Sequence, residues 1–176
     1  MNLLTRAALS SIFVLVAGGA ALLMAGAIPA QYGSEQSKPQ KLSASAIQIE
    51  RTEPSKDLVI PEDFRVATYE NVILQVEKTK KFQHVYRSGD RTAADVPDLV
   101  IMRLVPQTYK AGSQKAREVT TVAGATSIKI NLTFSDKSGK VLMEKEIEGK
   151  VRFFGENLRA TYDLAKKVAA IVTESF

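Results

Sequence analysis

One histidine, three alternating glutamates and two short glycine-containing segments are the groups that could carry chemistry in this chain of 176 residues. His84 is the lone imidazole and there is no cysteine. Structural and catalytic zinc sites take three or four protein ligands, so His84 by itself does not make one. A serine nucleophile would have to share this one imidazole, and no Gly-x-Ser-x-Gly elbow is present. Glu144, Glu146 and Glu148 alternate along one apolar-polar segment, the arrangement in which paired carboxylates could work as acid and base on a glycoside. Alternation also places them on the water-facing side of a strand, where charge serves solubility. Gly89–Thr92 and Val122–Thr126 have too little glycine for a phosphate loop, and lack its lysine followed by serine or threonine. The expectation is a protein without catalytic groups, metal or cofactor.

Charge gives a second kind of candidate. The chain carries 24 lysines and arginines against 19 acids. Arg6 is the sole charge among the first 30 residues, so the remainder holds 23 bases and 19 acids, a mild excess of +4. Lys78, Lys80, Lys81, Arg87 and Arg91 cluster near one expected helix end. Lys110, Lys115 and Arg117 lie in a polar stretch from Gln107 to Ala125, read here as a long loop. A loop of that length in a small domain is mobile or functional. Those three bases are the candidate contacts for an acidic partner or an anionic lipid surface. Nucleic acid is not expected, since there is no tryptophan and no basic surface interleaved with aromatics.

The elements that must position these residues follow from periodicity. Residues 1–30 read as a signal peptide or amino-terminal membrane anchor. Arg6 precedes 17 residues, Ile12–Ile28, without a charged side chain, and small residues at Ala25, Ala27 and Ala30 offer cleavage sites. The alanine and glycine content favours cleavage over retention. A mature terminus at Ile28 or Gln31 would mark a periplasmic or exported protein, and an intact Met1 an inner-membrane one. Without cysteine there is no lipid attachment and no disulfide. Residues 31–45, rich in Gln, Ser, Lys, Pro and Gly, read as a flexible linker.

Residues 46–176 form the expected domain. Ala46–Glu50 alternates as a short edge strand. Pro61 opens a helix, with Glu62 and Asp63 at its positive end and Phe64, Ala67, Val72, Ile73 and Val76 at helical spacing. Phe82–Tyr86 reads as a strand with His84 on the face of Phe82 and Tyr86. Asp98–Val105, apolar on both faces, is the central strand, with Pro106 limiting it. Ser127–Phe134 and Val141–Val151 form a hairpin around Asp136–Gly139, with Val141, Met143, Ile147 and Val151 inward. Gly149 marks a bulge or a close contact. Glu156–Thr173 is an amphipathic helix whose stripe is Leu158, Tyr162, Ala165, Ala169 and Val172, widened by Leu164, Val168 and Ile171. The order β-α-β-β-β-β-α predicts an α+β domain: a mixed, mostly antiparallel sheet of about five strands with two helices on one face.

Several phrases carry a resemblance: Lys81–Val85 after a helix, Ala94–Ile101, Ser127–Leu132 leading into Asp136–Leu142, then Gly149 and Lys150 before the last helix. From Ala46 to Phe176 the chain resembles bacterial envelope domains of unknown function, commonly exported or lipoproteins. It is similar in architecture to the amino-terminal domain of the Tol-system propeller protein and to the lipoproteins that activate penicillin-binding proteins. The resemblance implies a non-enzymatic adaptor that binds an envelope protein, although many members carry a lipid-attachment cysteine absent here. The alternative is a small-ligand or transport-accessory protein, with an apolar pocket between helices and sheet lined by Phe64, Met102 and Tyr162.

Overall fold

The computed structural model describes residues 41–119, 124–151 and 156–176. The expected leader and most of the expected linker lie outside them. Among the described residues no helix is long and apolar enough to cross a membrane. The elements are β1 (Ala46–Ile49), α1 (Glu62–Thr79), β2 (His84–Arg87), a 3-10 turn (Arg91–Asp95), β3 (Leu99–Lys110), α2 (Gln114–Val119), β4 (Thr126–Ser135), β5 (Val141–Val151) and α3 (Arg159–Ser175).

The five strands lie in the order β2-β1-β3-β4-β5. β1 runs parallel to both β2 and β3, whereas β3–β4 and β4–β5 are antiparallel. The fold is α+β with a mixed five-stranded sheet as expected, but two of its four ladders are parallel and a third helix, α2, between β3 and β4 breaks the expected β-α-β-β-β-β-α order. β1 is not an edge strand. Ile47 and Ile49 are buried beneath the helices, and Ala46 on the opposite face is buried with Ala93 and Leu99. A strand that is apolar on both faces belongs inside a sheet. β2, shortened to four residues, takes the edge instead.

β3 is the central strand, and it does not stop at Pro106. It continues to Lys110 through an irregularity in which Pro106 pairs with Ile130, Thr108 pairs with Lys129, and Gln107 has no partner. A bulge absorbs a residue that has no N–H to give the ladder. The expected loop from Gln107 to Ala125 accordingly holds the end of β3 and a third helix, α2, of six residues.

The core fills the space between the sheet and the two long helices. Ile47, Ile49, Met102, Leu104, Ile128, Ile130, Leu132 and Phe134 line the sheet, and Phe64, Val72, Ile73, Val76, Leu164, Val168 and Val172 come down from the helices. Each such side chain contributes about 1.5–3 kcal/mol relative to exposure. Thr68, rather than Ala67, is buried on α1, because its hydroxyl donates to the Phe64 carbonyl at 2.8 Å. On α3 the buried stripe is rotated from the expected one. Leu164, Ala165, Val168 and Val172 are buried as expected, but Ala160 and Thr161 join them, while Tyr162 lies outside with Lys166 Nζ 5.5 Å from its ring centre. Asn71 Nδ2 donates to Thr161 Oγ1 at 2.8 Å and ties α1 to α3.

The β4–β5 hairpin turns as its sequence demands. Asp136 Oδ1 accepts from the Ser138 and Lys140 N–H groups and the Ser138 hydroxyl, and Gly139 takes φ +86°. Gly149 is a close contact, not a bulge, since its pairing with Ile128 is in register. A Cβ there would lie 2.3 Å from the Ala160 carbonyl oxygen and 2.6 Å from Leu164 Cβ.

Candidate functional site

Two features of this fold offer contacts to something else. The first is the free edge of β5. The Lys150 N–H donates to Asp163 Oδ2 at 2.9 Å, and the Glu148 carbonyl accepts from Lys167 Nζ at 2.7 Å. Backbone groups at alternate residues of a strand point the same way, so the even-numbered residues of β5 face away from β4. Pairing with β4 is unbroken from Met143 to Val151, which carries this parity back to Glu146 and Glu144. α3 thus engages the carboxyl-terminal half of the edge through the Lys150 N–H and the Glu148 carbonyl. Among the described residues it leaves the N–H and C=O groups of Glu144 and Glu146 open.

Side chains above that edge are mostly paired within the sheet. Glu146 meets Lys129 at 2.9 Å, Glu148 meets Lys150 at 2.5 Å, and Glu144 accepts from Asn131. These three carboxylates, considered above as catalytic pairs, lie on the face opposite α1 and α3. Their own strand register spaces them along that face, with lysines partnering Glu146 and Glu148 and a neutral amide partnering Glu144. Inward on the same strand, Lys145 pairs opposite Leu132 yet remains exposed, and Val141 is 53% exposed rather than inward. A lysine on the core side of an edge strand discourages indiscriminate pairing. Asp163 feels burial most strongly, which raises its pKa, but the bonds from Lys167 and the Lys150 N–H outweigh it and hold the carboxyl below its ordinary 3.8.

The second feature is a cleft of about 420 Å³ at the carboxyl-terminal ends of β1 and β2, walled by α1. Its lining comprises Arg51, Thr52 and Glu53 after β1, then Glu62, Arg65, Val66, Tyr69 and Glu70 on α1, then Arg87 and Ser88 after β2. In open sheets, parallel strands present ligand sites at this end, where successive connections leave in opposite directions. Here β1 is followed by β2 on one side, and the chain then crosses to β3 on the other.

Arg87 makes a two-pronged pair with Glu70, at 2.6 and 2.8 Å. The hydrogen bond from Arg87 lowers the Glu70 pKa, and that bond raises the pKa of Arg87 in turn. The Arg87 guanidinium lies 5.9 Å from the Tyr69 ring centre. Tyr69 Oη accepts from the Ser88 N–H at 2.8 Å and donates to the Ile49 carbonyl at 3.3 Å. Arg65 Nη2 pairs with Glu62 at 2.7 Å, and Nη1 lies 3.8 Å from Glu53. Among the described residues, two buried polar atoms of the lining have no hydrogen-bond partner: Thr52 Oγ1 and Arg65 Nε.

The residues singled out from the sequence are scattered by comparison. Lys110 ends β3 and Lys115 lies on α2, both exposed. Arg117 is also on α2, with its side chain outside the described set. They occupy the same end of the sheet as the cleft but do not line it. His84 is exposed and stacks on Tyr86 with ring centres 5.8 Å apart, whereas Phe82 precedes β2 and packs against Phe176. Phe64 and Met102 are packed in the core and Tyr162 is outside it, so these three do not enclose a pocket. Gly112 sits in a polar knot, its N–H donating to Thr126 Oγ1, which in turn donates to Asn157 Oδ1. Sequence reasoning missed Thr52, Arg65, Tyr69 and Glu70, because only the parallel pairing of β1 with β2 brings their segments together.

No family model matches the chain. No curated protein matches it in sequence. Its fold is nevertheless shared. The chain is similar to the PelC dodecamer from Paraburkholderia phytofirmans, with a TM-score of 0.55 at 9% identity, covering 77% of this chain and 93% of that one. A variant of the same PelC in another crystal form gives 0.53 at 9% identity, over 77% and 91% of the two chains. A DUF330 protein from Xanthomonas campestris aligns at 0.46 and 8% identity, over 76% and 82%. The α+β domain described here therefore has the PelC-like arrangement of helices and mixed sheet. At these identities the likeness is one of fold.

Proposed function

We propose that this chain is an exported, envelope-associated module that works by binding a protein and not by catalysis. The observation that carries the reading is the β5 edge, capped by α3 at Glu148 and Lys150 and open at Glu144 and Glu146. A short open edge accepts one extended segment through main-chain hydrogen bonds, while its flanking charges select among segments. Carboxylates at Glu144, Glu146 and Glu148 favour a segment with basic residues at alternate positions and oppose antiparallel pairing of β5 with a second β5. The leader read from residues 1–30 supports the envelope placement. The resemblance to the Tol-system domain and to lipoprotein activators of penicillin-binding proteins points the same way. PelC, which shares the fold, is a dodecamer, so surfaces of this fold are capable of repeated protein contact.

A photo-crosslinker at position 144 in cells tests the reading, with Glu146→Pro as the blocking change. The Glu146 N–H points away from β4, so proline removes a donor from the open edge without taking one from the β4 ladder. Glu146→Gln keeps the donor. Capture of an envelope protein through an extended segment, lost in Glu146→Pro and kept in Glu146→Gln at similar thermal stability, is the expected result. Equal capture by both variants would place the contact elsewhere, with Lys110 and Lys115 the next residues to probe.

A further inference from the structure

We infer that the cleft at the ends of β1 and β2 is a binding site for a small molecule bearing an oxyanion, a carboxylate or phosphate, on a short apolar body. This goes beyond the edge contact and involves different residues. The argument begins with which polar groups of the cleft are already satisfied. Both oxygens of Glu70 are taken by Arg87, and the Tyr69 hydroxyl both donates and accepts. The two buried groups left over can both donate, whereas the free carboxylate oxygens of the lining, on Glu53 and Glu62, belong to exposed side chains. Among the described residues the hydroxyl of Thr52, which is 4% exposed, and the buried Nε–H of Arg65 have no partner, and both residues line the cleft. Arg51, in the lining and exposed, forms no ion pair or hydrogen bond among the described residues.

Buried donors without acceptors are costly, and an acceptor-rich ligand is what relieves them. A guanidinium with a neighbouring hydroxyl suits an oxyanion in both geometry and charge. The cleft volume falls within the range of small-molecule sites, and Val66, 50% exposed, and the Tyr69 ring supply an apolar wall for the rest of the ligand. Glu62 pairs with Arg65 Nη2 at 2.7 Å and opposes an anion there without engaging Nε, and the second opposing carboxylate is Glu53. Its 3.8 Å approach is too long for a hydrogen bond, and its side chain is 72% exposed, so it is free to swing outward.

The test is titration of the isotope-labelled full chain with phenyl phosphate and, separately, benzoate, following the Arg65 Nε–H and Thr52 resonances. Benzyl alcohol serves as the neutral control. Saturable shifts at both residues are expected with at least one anion and not with the alcohol. The anion that gives the tighter binding identifies the headgroup. Thr52→Val, which keeps shape and removes the donor, weakens binding about five-fold or more, and Glu53→Gln strengthens it about three-fold or more. Absence of saturable shifts with both anions, equal shifts from benzyl alcohol, or weaker binding in Glu53→Gln would overturn the assignment. The β5 crosslink is unaffected by Thr52→Val, so the two proposals fail separately.

Discussion

Adding one methyl group at position 149 probes the closest approach between the last helix and the sheet. The new Cβ of Gly149→Ala would lie 2.3 Å from the Ala160 carbonyl oxygen and 2.6 Å from Leu164 Cβ. Non-bonded carbons prefer about 3.5–4.0 Å, so roughly 1 Å of separation must be found. Neither neighbour is the end of a flexible side chain. One is helix backbone and the other is fixed by it, so α3 itself must lift from β5. Ala160, Leu164, Ala165 and Val168, all fully buried, would loosen with it. Overpacking of a filled core costs about 1–3 kcal/mol, and backbone contact puts this case at the upper end. A loss of about 3 kcal/mol lowers the melting temperature by roughly 10 °C in a domain of this size. Urea unfolding followed by circular dichroism should show a lower midpoint with unchanged slope. Gly139→Ala is the control, because nothing lies within 4 Å of its new Cβ and only the φ of +86° is strained, at about 1–2 kcal/mol. Trimming Leu164 to alanine in the Gly149→Ala background gives no relief, since the clashing Cβ remains. A Gly149→Ala protein within about 0.5 kcal/mol of wild type, or no worse than Gly139→Ala, would refute this account of the α3–β5 contact.

Other expectations follow from named contacts. Asp163 is held below its ordinary pKa in the folded chain, so the unfolded state binds the proton more readily. Its stabilisation is present above about pH 4 and is lost as pH falls through the folded value. Asp163→Asn should flatten the acid limb of stability against pH in that window and speed hydrogen exchange at the Lys150 N–H. Phe176 packs against Phe82 and Phe134, with ring centres 5.0 and 5.6 Å away. Phe176→Ala should cost about 1–3 kcal/mol in urea unfolding, and a change below about 0.5 kcal/mol would show the contacts to be incidental.

Legibility in the sequence tracked the locality of the cause. The hairpin was readable because strict alternation from Ser127 to Phe134 and an Asp-to-Gly turn are both encoded within a few residues. α1 is readable from Pro61 and its acids, and the central place of β3 from the apolar pattern of residues 98–105. Errors arose where a distant partner decided the outcome. β1 reads as an edge in sequence because four residues of alternation do not reveal that Ala93 and Leu99 cover its second face. Pro106 reads as a stop because the register shift that accommodates it belongs to the pairing with β4. Tyr162 was placed in the stripe of α3, but the approach to Gly149 and the Asn71–Thr161 bond set the helix rotation differently. The cleft was invisible for the same reason. Arg65 and Glu70 look like solvent-facing charge on an amphipathic helix until Thr52 and Arg87 are brought beside them.

Gly149 and the open edge are parts of one arrangement. Because residue 149 has no side chain, α3 comes close enough for Asp163 and Lys167 to reach the backbone of β5. Those two side chains lie one helical turn apart, and they pair with each other at 2.8 Å. Their reach ends at Glu148, so helix position, not strand sequence, decides where the protected half of the edge stops. The open half, at Glu144 and Glu146, is thereby short, twisted into a sheet whose register is fixed, and flanked by Lys145 on one face and carboxylates on the other. A longer open edge would invite any strand to pair with it. An edge of this length instead requires its partner to gain from side chains as well as from backbone. That is the physical difference between a recognition surface and an aggregation site, and here it rests on a glycine and two side chains of α3.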